Sequence, residues 1–379
     1  MPIIVCSVQR SAHDLCGFLA GWRSTKAMTV LAGRARTKPP RADRRLRAAD
    51  DQPLGTMEAY ATIVTGDGPH ACFALVLGRV LRELDGTRRR AVLVHNVSAA
   101  TLAMLTADGV WEPHWMHEPI IQCPQSVLWP NKSPLWAYQV PLWALPFRRV
   151  LYFDADHLPL LSVGVHSHRR TTPGIHSQRL RALWRHPVNV SSVGASIEGP
   201  PKQGCFNSGM MLLRPRLSTV VDLHREALEL ELGSSRLRPG SRLKLLRERC
   251  PLGWNGDQAL LNSKFQSNFL RFGSKWTSES PYTVPGNARV CGASTATELA
   301  RHADSYHFMD PMRPWQQLSK CALFGTSCTA HPIGDEARLR FPARASNCSV
   351  WGTVASLWWK VFLELPTQTR AACQVRLGL

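Results

Sequence analysis

None of the 11 cysteines stands in a CxxC pair or at the Cys/His spacing of a zinc site, which excludes a zinc-finger type of metal centre. Their odd number leaves at least one thiol free unless it pairs between chains. Long apolar runs are missing too. Ser349 to Leu365 comes nearest to a membrane span, but it is short and carries Lys360 and Glu364, so it reads as a packed amphipathic helix. Acids are scarce: 27 Asp and Glu stand against 46 Lys and Arg, a formal net charge of +19 with a pI near 10.1. Such a balance attracts phosphate whatever carries it. Many of the basic residues fall in two patches, Arg34 to Arg47 and His166 to Arg185, and neither interleaves the aromatics of a base-stacking platform. The charge therefore favours phosphate ligands over a nucleic-acid duty, without choosing among them.

What is present suits a globular chain. With 379 residues, 44% hydrophobic and 19% charged, it can bury a core of one large or two medium domains. The first 36 residues are rich in Arg, Ser and Ala and resemble a transit peptide in composition; KPPRADRRLRAADDQP then closes a basic leader, residues 1–57, that cannot bury a core. Glu58 opens EAYATIVTGD, a strand ending at Thr65, Gly66 and Asp67. A helix is expected over Cys72 to Glu83, a strand over Ala91 to His95, and a helix over Ser98 to Ala107 with Ser98 as N-cap. This alternation predicts a doubly wound α/β domain with a nucleotide over the end of the first strand. Leu135 to Leu145 reads as a short helix, and Cys205 to Pro215 as a buried strand.

The most informative stretch is VLYFDADHLPL, Val150 to Leu160. An apolar strand breaks into Asp154 and Asp156, separated by the small Ala155. Ligands of open α/β sheets collect at the carboxyl ends of the strands, and a D-x-D step can present carboxylate oxygens to one hard cation. By chance alone a D-x-D arises about once in a chain this long. Taken by itself, the spacing favours two solvated acids at a strand end.

The order of segments changes that. TIVTGD, ALVLGRVLRE, LWALPFRRVLYFDAD, CFNSGMMLLRP at Cys205 to Pro215, NGDQALLN at Asn255 to Asn262 and HFMDPMRPW at His307 to Trp315 follow one another as a set. Over Glu58 to Trp315 this series resembles glycosyltransferase family 8, the glycogenin-like retaining enzymes that include plant xylan glucuronosyltransferases. The resemblance implies a GT-A type α/β fold, a single Rossmann-like domain with a mixed central sheet spanning residues 58–325, and an apolar, Trp-rich C-terminal extension over 326–379. It implies Mn²⁺ or another divalent cation held by Asp154, Asp156 and His307. Thr65, Gly66, Asp67, Ala155, Asn207, Ser208 and Arg313 would bind a UDP-sugar donor, and Asp257 with Gln258 would meet the transferred sugar. The acceptor would be a glycan or protein; a homodimer is left open, and no nucleic acid is expected.

The sequence also departs from that pattern. Gln139 stands where relatives carry lysine, in a pattern completed by Trp143, which removes a phosphate contact. Asp310 replaces a common glycine, and the aromatic that stacks on uracil is absent, with Pro69 and His70 near its place. Residues 164–182 read as an insertion; within it, HSHRRTTPGIHSQRLR, residues 166–181, shows neither period nor core residues. That stretch is either a basic surface loop or an unremoved intron. These departures keep a second expectation alive, a sugar-nucleotide-binding or glycan-binding relative without turnover. Tyr282 lies in the region where glycogenin-like proteins glucosylate themselves. A start at Met57 would suit a cytoplasmic protein, and the longer form a Golgi or organellar one.

Overall fold

A computed structural model of the chain describes residues 55, 57–116, 121–122, 135–136, 138–159, 174–197, 205–234, 256–272, 304–308 and 358–377. In chain order the elements are β1 (Glu58–Thr65), α1 (His70–Leu84), β2 (Arg89–His95), α2 (Ala99–Thr106), β3 (Glu112–Trp115), β4 (Ile121–Gln122), β5 (Leu135–Trp136), β6 (Arg149–Phe153) and β7 (His157–Pro159). They continue with α3 (Gly174–Leu183), β8 (Gly194–Ile197), β9 (Phe206–Leu213), α4 (Leu217–Ser234), α5 (Gly256–Phe265), β10 (Leu270–Arg271), β11 (Ser305–His307) and α6 (Thr367–Leu377). Seven strands form one sheet in the order β10-β8-β9-β6-β1-β2-β3. The expected α/β class with a mixed central sheet is the one observed. β1 runs parallel to β2 and β6, while β9 runs antiparallel to both β6 and β8.

Strand composition explains the placement. The β-branched and aliphatic residues of β1, β6 and β9 fill positions covered on both faces, so these strands read as continuous apolar runs instead of alternating. Pairing Ala61 with Tyr152 brings the ends of β1 and β6, Thr65 and Asp154, to the same edge of the sheet. Because β9 is antiparallel, its beginning arrives there too, and the Asp154 amide donates to the Gly209 carbonyl at 2.7 Å. Ser98 caps α2 as expected, its hydroxyl accepting from the Thr101 amide.

α1 is buried almost all round, as a helix covered on two sides must be. One side meets the sheet. The other meets the carboxyl-terminal part of the chain: Trp358 lies 5.3 Å from the Phe73 ring, and a disulfide joins Cys72 to Cys373 of α6. Residues 358–363 are helical with Trp358 and Phe362 in the core, and among the described residues no helix is long and apolar enough to cross a membrane.

Two expectations need correction. Leu135 to Leu145 is not one helix: Leu135–Trp136 pairs as a strand with Ile121–Gln122, and only Val140–Ala144 turns, as a 3₁₀ helix with proline at its start. The second concerns residues 166–181, whose described part, 174–181, belongs to helix α3. Leu180, Leu183 and Trp184 are buried at helical spacing, a stripe that the surrounding arginines hid. Arg179 pairs with Asp304, and Ser177 donates to the Leu84 carbonyl.

Candidate active site

At the carboxyl edge of β1 and β6 a cavity of about 430 Å³ is lined by Thr65, Asp154, Ala155, Asp156, Ser208, Asp257, Gln258 and His307, with Ile63, His70, Tyr138, Gln139 and Tyr152. Three carboxylates and, among the described residues, no lysine or arginine face this space. Such a surface repels an anionic ligand unless a cation or protons offset it.

The chain assembles the acidic corner from two distant segments. β6 delivers Asp154 at its end. One residue beyond Asp156, β7 pairs antiparallel with β11, placing His307 opposite His157, and the Phe308 amide closes on the Asp156 carbonyl at 2.9 Å. His307 Nε2 then lies 3.5 Å from Asp154 Oδ2 and 3.3 Å from Asp156 Oδ1. Hard cations take oxygen ligands at about 2.1–2.4 Å, so neighbouring ligand atoms stand about 3.0–3.4 Å apart, and the observed spacing fits that demand. His307 is held from behind by His157, whose ring stacks on it at 5.1 Å and whose Nε2 meets the Ser305 hydroxyl at 2.8 Å.

The floor of the corner is Gly209. A Cβ there would lie 2.6 Å from His307 Cε1 and 2.9 Å from both Asp154 Oδ2 and Asn207 Oδ1. A side chain here would press on His307 and Asp154, two of the three groups that converge at this corner. Burial beneath this corner pushes the Asp154 carboxyl up to about 6; Asp156 and Asp257 add to the shift, while His307 and the Tyr152 hydroxyl oppose it.

The opposite wall is α5. Asp257 in its first turn accepts from the Gln139 amide at 3.3 Å, and Gln258 Oε1 accepts from the Ser208 amide at 2.9 Å. Asn262, fully buried, fastens this helix to β9: its Oδ1 accepts from the Phe206 amide, and its Nδ2 donates to the Phe206 and Gln258 carbonyls, each at 2.9 Å. Trp143 stacks on Phe265 at 5.6 Å, tying the 3₁₀ helix after Gln139 to the same wall.

Other residues singled out from sequence fall differently. Gly66 and Asp67 stand beside the cavity, outside its lining. Gly66 takes φ of +67°, a turn conformation suited to glycine, and its amide donates to the His95 carbonyl. Asp67 spends its carboxylate on the Ser98 amide and hydroxyl and on Thr101, and the Thr101 hydroxyl first among these holds it below its ordinary range. Asn207 accepts from the Gly209 amide at 2.7 Å and shapes the turn under the cation corner. Arg313, Asp310 and Tyr282 lie outside the described residues.

Sequence reasoning missed Gly209, Tyr152, Tyr138 and Asn262 as contributors. Gly209, Tyr152 and Asn262 lie within quoted segments and Tyr138 within the expected helix Leu135 to Leu145, but none carries a chemistry that advertises itself. Tyr138 supplies an aromatic wall of the cavity that His70 also lines, its ring 6.4 Å from that of His95.

No family model matches the chain, and no curated protein matches it. Solved structures with a similar chain path include the galactosyltransferase LgtC in complex with donor and acceptor sugar analogues, 16% identical, covering 83% of this chain and 99% of that one at a TM-score of 0.46. The glycosyltransferase GlyE of Streptococcus pneumoniae TIGR4 is 12% identical and covers 85% of this chain and 63% of its own at a TM-score of 0.42. Likeness at this level carries no argument about ligand or reaction.

Proposed function

We propose that the chain is a retaining glycosyltransferase of the glycogenin-like kind, moving a hexose or hexuronic acid from a UDP-sugar to a glycan or protein acceptor. One observation carries the reading: two strand-end aspartates and a histidine some 150 residues away converge within 4.8 Å beside a cavity that also holds Asp257 and Gln258. Asp154, Asp156 and His307 would hold Mn²⁺, a donor set of two hard oxygens and one imidazole that suits it. When bound, the ion would offset charge on the departing nucleotide diphosphate. Thr65 and Ala155, which line the cavity, would border the diphosphate, with Tyr138 and His70 as flat walls. The Asp257 carboxylate, oriented by the Gln139 amide, is placed to stabilise positive charge developing at the sugar carbon. Gln258 and Ser208, bonded to one another, fix the wall against which the sugar rests.

A second reading is favoured by the absence of lysine and arginine from the described lining: a protein that holds the sugar nucleotide without turning it over. A panel of UDP-sugars assayed for UDP release with Mn²⁺ and with EDTA, using Asp156→Ala as control, separates the two. Mn²⁺-dependent release that the variant loses supports the enzyme. Affinity without release supports the binding protein, and neither affinity nor release overturns both.

A further inference from the structure

We propose that Gln139 is a positioning residue for the cation site, its neutral carboxamide joining the Tyr152 hydroxyl on one oxygen of Asp154 and turning the other oxygen toward the ion. This rests on the cation reading above. Gln139 is 5% exposed and lies at the start of the 3₁₀ helix, with its Nε2 3.2 Å from the Ser208 carbonyl and 3.3 Å from Asp154 Oδ1. Both partners can only accept, so the amide nitrogen and not its oxygen occupies that place. The Tyr152 hydroxyl donates to the same Oδ1, and Gln139 Nε2 lies 3.4 Å from that hydroxyl.

The two oxygens of Asp154 are thereby given different work. Oδ1 is saturated by protein donors, and Oδ2 is left facing His307 Nε2 over the gap that Gly209 keeps open. The backbone amide of Gln139 meanwhile donates to Asp257 Oδ2, so one residue sets both the cation carboxylate and the acid across the cavity.

A hydrogen-bond donor is what this position needs, because the Ser208 carbonyl and the Asp154 carboxylate oxygen both accept. A glutamate would bring a fourth carboxylate with no hydrogen to give. The glutamine supplies its hydrogens to both acceptors without adding a charge to the corner.

The test is Mn²⁺ binding to the full chain without donor, by calorimetry and by the loss of the free-ion paramagnetic resonance signal, alongside apo-state melting. Gln139→Met, of similar length and without a donor, should raise the Mn²⁺ Kd about tenfold, the scale of losing a partner behind a metal ligand. Gln139→Leu, also without a donor, should do the same, and covers the case in which the methionine chain does not fold. A merely structural role would lower the apo melting temperature and leave the Kd of the folded chain unchanged. Wild-type Kd values in both folded variants would overturn the positioning role while the cation reading stands. If the wild-type chain binds no Mn²⁺ and Asp156→Asn changes nothing, the cation reading itself has failed, and this proposal with it.

Discussion

Replacing Gly209 by alanine adds one methyl group where three site atoms already crowd. The new Cβ would stand 2.6 Å from His307 Cε1 and 2.9 Å from Asp154 Oδ2 and Asn207 Oδ1, whereas ordinary carbon contacts begin at about 3.5 Å. Relief requires His307 to retreat by about 0.9 Å and Asp154 by about 0.6 Å, several times the tolerance of about 0.2 Å on a metal–ligand distance. Overpacking of a tight site costs about 1–3 kcal/mol, which corresponds to a fold-change of about 5 to 150 in cation affinity if the strain falls on the liganded state. Calorimetric titration of the folded Gly209→Ala chain with Mn²⁺ is expected to show a Kd raised within that range, with circular dichroism unchanged. A folded variant that binds Mn²⁺ as wild type does would refute the steric reasoning, because the ligands would then have had room to spare.

Burial beneath the cation corner yields a pH effect whose sign follows directly. The folded chain holds the Asp154 proton to higher pH than the unfolded aspartate does, up to about pH 6, so apo stability present below about pH 4 is lost as pH rises toward 6. Urea unfolding without metal should find Asp154→Asn more stable than wild type at pH 7 and equal to it near pH 4; equal stability at pH 7 would contradict the burial. Asn262→Ala leaves the Phe206 amide and carbonyl unsatisfied in the core and should cost about 2–4 kcal/mol in urea unfolding, with a loss under 1 kcal/mol counting against its role as the fastener of α5. The Cys72–Cys373 bridge closes a loop across 301 residues of sequence, and Cys373→Ser should lower stability by about 3–5 kcal/mol and free α6 to early proteolysis; an unchanged digestion pattern would argue against the bridge.

The sheet was legible where the chain alternates cleanly between element types. β1, α1, β2 and α2 follow from apolar runs, helical spacing and a serine cap, signals carried by neighbouring residues. The D-x-D step was legible as an acid pair at a strand end, but its third partner was not derivable from spacing. His307 reaches it through a β7–β11 pairing that joins segments some 150 residues apart, and only the resemblance of the whole series placed it. α3 was hidden for a different reason: it has only two leucines, flanked by Arg179 and Arg181 and preceded by His176 and Ser177, so a buried stripe looked like part of a basic run. Gly209 and the carboxylate contact of Gln139 were passed over because their importance is relational. A glycine matters for what would collide with a methyl group, and an amide for which carboxylate oxygen it covers; neither is a property of local sequence.

Anomalous diffraction from crystals of the chain grown with Mn²⁺ and UDP tests the central claim most directly. The expected result is one manganese peak within bonding distance of Asp154, Asp156 and His307, in contact with the diphosphate. UDP bound in the cavity with manganese elsewhere or absent would contradict it.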